Sequence, residues 1–274
     1  MTIDNKSILN LLKKYDLIFD KPIGLVSSDG YLIYSKQKIH DERELAKIYS
    51  NAYQNKILQI ECNLFRYYYF CKNSTSNGKH ATVIMINPAF ADSKKDDPTI
   101  TNIKKYLFDD NKFSSFEILN LYPIRMPKST KLKDLLSLTE DETKKYQKFL
   151  KDYLINYCKN NVIIAAWGAD KEDNDVAQDL FRDCNMKFYC YGYSKEGYPK
   201  HFSPQSFNKP NKSTSPIPYI GINNWLNRDD LNEYDLGQIN VAKEIKDFIC
   251  TTKGCDNTKL FMQTAYIKLF DSLN

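Results

Sequence analysis

The sequence predicts an α/β protein of three layers, in which a central, mainly parallel four-stranded sheet is flanked by helices. From residue 81 onward, short apolar runs alternate with amphipathic segments, which is the pattern of strands joined by helical crossovers. The run NVIIAAWG is apolar almost throughout, as expected for a strand covered on both faces. With 274 residues, 42% of them hydrophobic, the chain can bury a sizeable core.

The individual elements follow from local patterns. We predict strands in ATVIMI, FEILNLY, NVIIAAWG and MKFYCYG. We predict helices in TITNIKKYLF, from the segment 139–142 to about residue 158, and in residues 173–183. Thr139 and Glu142 have the spacing of a capping box for the second of these helices. Residues 192–218 are rich in Ser, Pro, Lys and Asn, and a loop of this length in a compact domain is usually functional or disordered.

Two extensions flank this pattern. We predict an N-terminal helix, hairpin and helix in residues 1–58, the main domain in 59–222, and a C-terminal helical extension in 223–274. The hairpin lies in GLVSSDGYLIYS and is expected to turn at Asp29-Gly30. The N-terminal region could be a small subdomain or a cap on the edge of the sheet.

Composition narrows the functional classes. The net charge of +5 permits a polyanionic partner without demanding one. The N-terminus lacks the features of a signal peptide, and no run approaches the roughly 20 apolar residues of a membrane span. The seven cysteines include no CxxC pair, so we expect reduced thiols without a metal site. We therefore expect a cytoplasmic protein with no cofactor and no membrane partner.

Polar features follow each predicted strand, at the edge where parallel α/β sheets bind ligands. They are Asn87-Pro88, Asn120, the segment 167–170 and the segment 201–206. Each also has a structural explanation. Asn-Pro commonly begins a turn, and the amide of Asn120 could bond neighbouring backbone instead of the edge of a planar ligand. A single histidine such as His201 is more often a surface residue.

These stretches resemble a known family when they are taken together. MINPAF, DPTITNIKKYL, EILN, AAWG and HFSPQS follow the order of the GQDPYH loop, the PPSLxNIxKEL helix start, the LLLN strand, the LLWG strand end and the HPSPLS loop. That order is similar to the uracil-DNA glycosylase superfamily. INPAFADSKKDDPTI, AAWG and GYPKHFSP also resemble blocks of an uncharacterised bacterial family, a domain of unknown function. The resemblance covers about residues 60–220.

The resemblance implies a fold and a set of site residues. Glycosylases of this type flip a base into a pocket and cleave its N-glycosidic bond. By position, Asn120 would read the base with its amide, Asn87 would manage water, and His201 would stabilise the departing base. The base pocket would also include Ile86, Ala89 and Phe90. The loops that contact DNA phosphate would include Pro98, Thr99, Gly168, Ala169, Ser203 and Gln205.

Several positions depart from the superfamily. Asn87 stands where the water-orienting Asp is expected, Ala89 replaces the Tyr that excludes thymine, and Ala169 replaces a phosphate-binding Ser. Gln205 replaces the Leu wedge, for which a polar side chain is a poor substitute. The residue that stacks on the base is not evident, and Phe108 and Phe113 are candidates by proximity alone.

These departures favour a degenerate member with little or no uracil excision, acting through binding. One partner would be a small acidic inhibitor protein that mimics DNA, for which this chain would be a decoy, and binding to DNA itself would be weak or altered. The alternative is an active glycosylase that excises a C5-modified or otherwise unusual base. A third class is a sensor that binds a nucleotide or nucleoside in the same pocket.

Overall fold

The protein is an α/β structure built on one mixed sheet. The computed structural model describes residues 5–17, 23–27, 30–35, 65–73, 78–88, 97–108, 113–125, 139–207 and 216–222, with Leu132, Leu136, Asn240 and Lys243. The strands are β1 (Ile23–Ser27), β2 (Gly30–Ser35), β3 (Phe65–Lys72), β4 (Lys79–Met85), β5 (Phe113–Asn120), β6 (Val162–Ala165), β7 (Phe188–Cys190) and β8 (Ile217–Pro218). The helices within these ranges are α1 (Asn5–Lys14), α2 (Pro98–Phe108), α3 (Glu140–Tyr157), α4 (Lys171–Phe181) and α5 (Pro204–Phe207).

The sheet contains the predicted parallel strands at its centre. Its order is β1-β2-β3-β5-β4-β6-β7-β8, and the pairs β5–β4, β4–β6 and β6–β7 are parallel. The predicted number of four strands is wrong, because β3 pairs antiparallel with β5 and β8 pairs antiparallel with β7. These additions cover the edges that a four-stranded sheet would leave unpaired.

The two faces of the sheet bury separate apolar clusters, because successive side chains of a strand point to opposite faces. One face packs against α2 through Ile100, Ile103 and Leu107. The other packs against α3, α4 and the end of α1. The structure therefore has three layers, with helices on both sides of the strands that carry the predicted site.

The N-terminal region joins the main sheet. The hairpin is formed by β1 and β2, which pair antiparallel as far as Ser27 and Gly30, so Gly30 belongs to β2 and not to the predicted turn. β2 then pairs with β3. α1 lies on α3, where the rings of Tyr15 and Phe149 meet edge to face at 6.4 Å. The second helix that we predict within residues 1–58 lies outside the described residues, as do nearly all residues of the predicted C-terminal extension. The three domain limits stay predictions.

The starts of α3 and α4 differ from the predictions, in the capping contact for α3 and in position for α4. α3 begins after Thr139, where the Thr143 N–H donates to the Thr139 carbonyl at 2.9 Å. The Thr139 side chain makes no capping bond, so the predicted capping box is wrong. α4 begins two residues earlier than predicted, because Asp170 caps it by accepting from the Glu172 N–H at 2.9 Å.

Two general properties complete the fold. The described cysteines Cys71, Cys158, Cys184 and Cys190 are buried free thiols, and burial raises the pKa of Cys190 to about 12, which leaves it protonated at neutral pH. Among the described residues, no helix combines the length and the apolar character that a membrane crossing requires.

Candidate nucleobase site at the carboxyl edge of the sheet

The ends of the central strands meet at one edge of the sheet, which we call the carboxyl edge and define by the last residues of β4, β5, β6 and β7. Met85 of β4 lies opposite Asn120 of β5. Backbone bonding continues past the strands, because the Tyr122 N–H donates to the Ile86 carbonyl at 2.9 Å and the Ala166 N–H donates to the Ile84 carbonyl at 2.8 Å. The segments after β4, β5 and β6 are thereby held side by side.

Asn120 is the most unusual polar residue at this edge. Its side chain is 1% exposed, and its Oδ1 has no hydrogen-bond partner among the residues that the structure describes. Nearly all buried polar groups are paired, and leaving one unpaired costs about 1–3 kcal/mol. A strand that retains such a group favours a ligand that supplies the missing donor.

The backbone of Asn120 is held from the helix layer. Its N–H donates to the Tyr146 hydroxyl at 3.1 Å, and that hydroxyl donates to the Tyr67 carbonyl at 3.3 Å. The regular ladder between β3 and β5 ends two residues before Asn120, at the pair of Tyr69 and Ile118. Burial raises the pKa of Tyr146, and the nearby charge of Arg66 opposes that rise. Pairing resumes beyond this point, where the Arg66 N–H donates to the Pro123 carbonyl at 2.9 Å, so Tyr146 bridges a local interruption of the ladder.

Asn87 uses its side-chain amide to tie segments of backbone together. Its Nδ2 donates to the carbonyls of Pro88 at 3.2 Å and Ile124 at 3.4 Å, and the residue is 8% exposed. The donors of the amide are therefore directed at main chain. This contact fixes the end of β4 against the segment after β5.

His201 is held as a neutral donor. Its Nδ1 accepts from the Ser203 N–H at 3.0 Å, so the neutral ring carries its proton on Nε2. Burial lowers the pKa of His201 to about 4. At neutral pH the ring therefore presents an uncharged Nε2–H, which can donate to a carbonyl oxygen without adding a positive charge.

The loop that carries His201 packs against the end of β6 and against α2. Gly168 has φ +102°, and a Cβ built on it would lie 3.6 Å from the His201 Cβ. This left-handed conformation favours glycine, while the close approach brings the two loops into contact. On the other side, Asn102 Nδ2 donates to the Phe202 carbonyl at 2.8 Å. The position of His201 is thus set by two neighbouring elements.

Asn174 braces the segment after β6. Its Oδ1 accepts from Trp167 Nε1 at 2.7 Å and from the Tyr219 hydroxyl at 3.1 Å. Its Nδ2 donates to the carbonyls of Gly168 at 3.2 Å and Asp170 at 2.6 Å. Every bond of this amide serves the protein, so Asn174 is a structural residue that positions the Gly168 turn.

Tyr122 and the start of α4 form a polar cluster that the sequence analysis missed. Burial raises the pKa of Tyr122, and the charge of its hydrogen-bond partner Asp173 adds to that rise, followed by the charges of Asp170 and Glu172. Asp173 is 8% exposed. The three carboxylates therefore gather around a hydroxyl two residues beyond Asn120. The acidic run ADKED after the β6 strand was the available signal.

The other predicted residues are less closely joined. Ile86 is buried, Thr99 and Ser203 are half-buried, and Pro98, Ala169 and Gln205 are exposed. Pro98 and Thr99 open α2, which Asp97 caps by accepting from the Ile100 N–H at 2.8 Å. Ala89 and Phe90 lie outside the described residues.

Both candidates for base stacking are wrong. Phe113 begins β5 and pairs with Lys79, so it lies at the opposite end of the strand from Asn120. Phe108 ends α2, and its ring lies 5.2 Å from that of Phe116 in the core. Proximity in sequence failed here because a strand and a helix each carry their two ends to opposite edges of the sheet.

A second polar cluster lies within the core beneath α3, and we call it the Glu117 cluster. Glu117 is 1% exposed. Its Oε1 accepts from the Thr82 hydroxyl at 2.6 Å, and its Oε2 accepts from the hydroxyls of Tyr68 at 2.5 Å and Tyr153 at 2.6 Å. His80 Nε2 lies 3.6 Å from Oε2. Burial opposes ionisation, but the hydrogen bonds and the charge of His80 hold the pKa of Glu117 below its usual value.

Comparisons with known proteins give a family without an activity. A family model described as a protein of unknown function (DUF1643) matches residues 66–202, half of the chain. No curated protein and no solved structure matches the sequence significantly. The matched segment contains Asn87, Asn120, Gly168 and His201. Among the described residues, no group of His, Cys, Asp and Glu side chains could hold a metal ion.

Proposed function

The chain belongs to the DUF1643 family of proteins of unknown function, and from that premise we propose that it is a uracil-DNA glycosylase-like protein that binds a nucleobase without excising uracil. The observation that carries this proposal is the buried, unpartnered Oδ1 of Asn120. It lies at the strand end where the resemblance puts the base-reading amide.

The chemistry of the edge suits a pyrimidine. A ring N–H beside a carbonyl could donate to Asn120 Oδ1, while a carbonyl could accept from the Nε2–H of neutral His201. Hydrogen bonds of this kind gain strength in a site from which water is excluded. An uncharged base satisfies both protein groups without bringing a charge into the interior.

The state of Asn87 supports the absence of excision. Its amide donors point at the carbonyls of Pro88 and Ile124, and an amide is not a base at neutral pH. Asn87→Asp would restore the carboxylate of the resembled family but would set a negative oxygen against those carbonyls. We therefore expect this substitution to leave uracil excision absent.

Two further proposals follow from the resemblance. A small acidic inhibitor protein that mimics DNA would be a partner if the chain acts as a decoy, and the net charge of +5 suits such a partner. The second candidate is a glycosylase for a C5-modified base, which is favoured by Ala89 in place of a space-filling Tyr. Excision of C5-substituted pyrimidines that Ala89→Tyr abolishes would support this candidate.

Calorimetric titration with uracil, run beside an excision assay on uracil-containing oligonucleotides, tests the main proposal. We expect measurable uracil binding, at least tenfold weaker in Asn120→Ala because the acceptor is lost, and no excision. Asn160→Ala is the control, since Asn160 is exposed in the turn between α3 and β6. Absence of uracil binding would contradict base recognition. Efficient excision that His201→Ala abolishes would contradict the loss of chemistry.

A further inference from the structure

We infer that the ligand of this edge is a free base or nucleoside rather than a base within a polynucleotide. The inference rests on the proposed function, since it specifies the ligand of the same site. It comes from the charge and exposure of the residues at the start of α4, which are separate from the residues proposed to contact the base.

The start of α4 is strongly acidic. Residues 170–175 (DKEDND) contain four carboxylates and one lysine, a net charge of −3. Asp170, Glu172 and Asp175 are exposed, whereas Asp173 is buried. A ligand that approaches this part of the edge from solvent therefore meets negative charge before it reaches the interior.

These carboxylates lie beside the proposed base site. α4 begins directly after Gly168 and Ala169, and Gly168 packs against His201. The charges of Asp173, Asp170 and Glu172 all act on the Tyr122 hydroxyl, and Tyr122 follows Asn120 by two residues. The acidic group is thus next to both residues proposed to contact the base.

One of the N–H groups at the start of α4 is already bonded to a carboxylate of the protein. Helix N-termini bind anions through free N–H groups, but Asp170 Oδ1 already accepts from the Glu172 N–H at 2.9 Å. The side chain of the protein occupies the place of the anion. A phosphate here would lose that interaction and would face the exposed carboxylates.

Within the part of the chain that the structure describes, the buried cations near the edge do not offset this charge for a polyanion. Arg66, Arg125 and Lys200 are 3%, 7% and 6% exposed, so their charges lie below the surface. Arg66 also lies 5.9 Å from the centre of the Tyr69 ring. Buried cations of this kind can favour the carbonyls of a bound base, but they do not reach the phosphates of a strand that passes outside.

A polynucleotide necessarily brings phosphates to both sides of a bound base, whereas a nucleoside brings none. Repulsion between exposed charges persists over about 8 Å at physiological ionic strength. Flanking phosphates would fall within that range of the acidic helix start. The same repulsion counts against the acidic DNA-mimicking partner of the decoy proposal, should that partner dock on this edge.

The test compares deoxyuridine with a short single-stranded oligonucleotide that contains one uracil, by calorimetric titration of the full chain at low salt. We expect deoxyuridine to bind at least about tenfold more tightly. In Asp170→Asn with Glu172→Gln, oligonucleotide binding should strengthen by about tenfold while deoxyuridine binding is unchanged. Asparagine caps a helix as well as aspartate, so α4 should keep its start.

Asp179→Asn with Asp183→Asn is the matched control, because it removes one exposed carboxylate in the last turn of α4 and one just beyond it. Neither ligand should bind differently to it. If the oligonucleotide binds wild type as tightly as deoxyuridine, or gains nothing from the first variant, the inference is overturned while base binding stands. If neither compound binds, the proposed function itself fails.

Discussion

β5 carries two buried polar side chains three residues apart, and their surroundings differ completely. Glu117 accepts hydrogen bonds from residues of β3, β4 and α3. Asn120, at the end of the same strand, has an acceptor with no partner among the described residues. Because both are 1% exposed, burial alone does not separate a structural polar group from a ligand-binding one. The separating property is whether the protein itself completes the hydrogen bonds.

The buried asparagines Asn174 and Asn120 show the same contrast between two side chains of one type. Asn174 is also 1% exposed, but Trp167, Tyr219 and two carbonyls occupy its amide. Asn120 has the same side chain with an unoccupied oxygen. Substitutions at these positions therefore measure how much each side chain contributes to the free energy of unfolding.

The largest expected effect is at Glu117. Glu117→Ala removes a carboxylate that satisfies several buried donors, and breaking such a network typically costs about 3–5 kcal/mol. Urea denaturation followed by circular dichroism measures the change in the free energy of unfolding. Glu140→Ala, at an exposed glutamate of α3 paired with Lys144, should leave the midpoint nearly unchanged. A Glu117→Ala midpoint equal to that of wild type would remove the basis of the comparison.

The next effect is the difference between the two asparagines. Asn174→Leu leaves the Trp167 and Tyr219 donors unpaired, which should cost about 2–4 kcal/mol. Asn120→Leu removes an acceptor that is already unpaired, so we expect a change within about 1 kcal/mol. The same denaturation measurement checks both variants. Equal costs at the two positions would mean that Asn120 contributes to the fold as Asn174 does.

The smallest effect is a pH dependence that separates the two regions. The pKa of His201 falls from 6.5 to about 4 on folding, so its contribution to stability is complete above pH 6.5 and is lost as pH falls towards 4. At pH 5 the loss is about 2 kcal/mol, from 1.36 kcal/mol per pKa unit. Glu117, whose pKa is lowered from 4.5, loses its contribution only below pH 4.5.

Denaturation midpoints measured from pH 7 to about pH 3.5 check this order. His201→Gln should flatten the slope between pH 6.5 and 4.5, because no imidazole remains to take up a proton on unfolding. Glu117→Gln should keep that slope and change only the dependence at lower pH. If the dependence of the midpoint on pH between 6.5 and 4.5 persists in His201→Gln, another titrating group causes it.

The parallel strands and their shared edge could be predicted from the sequence because both depend on local patterns. Apolar runs and the polar residues after them identified the position of Asn120 and of the Gly168 turn. The contacts of Asn87 could not be predicted, because the Ile124 carbonyl that it reaches is 37 residues away along the chain. Thr139 failed as a capping residue for a different reason, since matching residue types do not fix the side-chain rotamer.

The Glu117 cluster was missed although the sequence contained a sign of it. A glutamate inside the apolar strand FEILN requires partners, but those partners come from three other elements and are not adjacent in sequence. The wider sheet was missed for the same reason. Pairing of β3 with β5 joins residues 43 to 49 positions apart, and this register is a tertiary property.

α3 contacts β5 at two points, through Tyr146 and through Tyr153. Tyr146 holds the Asn120 backbone, and Tyr153, seven residues later on the same helix, holds Glu117. Seven residues are about two helical turns, or about 10.5 Å. The helix therefore fixes the spacing between its contact with Asn120 and its contact with Glu117. A ligand that shifts the end of β5 must either move α3 or break the hydrogen bond between the Asn120 N–H and the Tyr146 hydroxyl. Amide hydrogen exchange at Asn120 would therefore change on ligand binding if the bond to Tyr146 is lost.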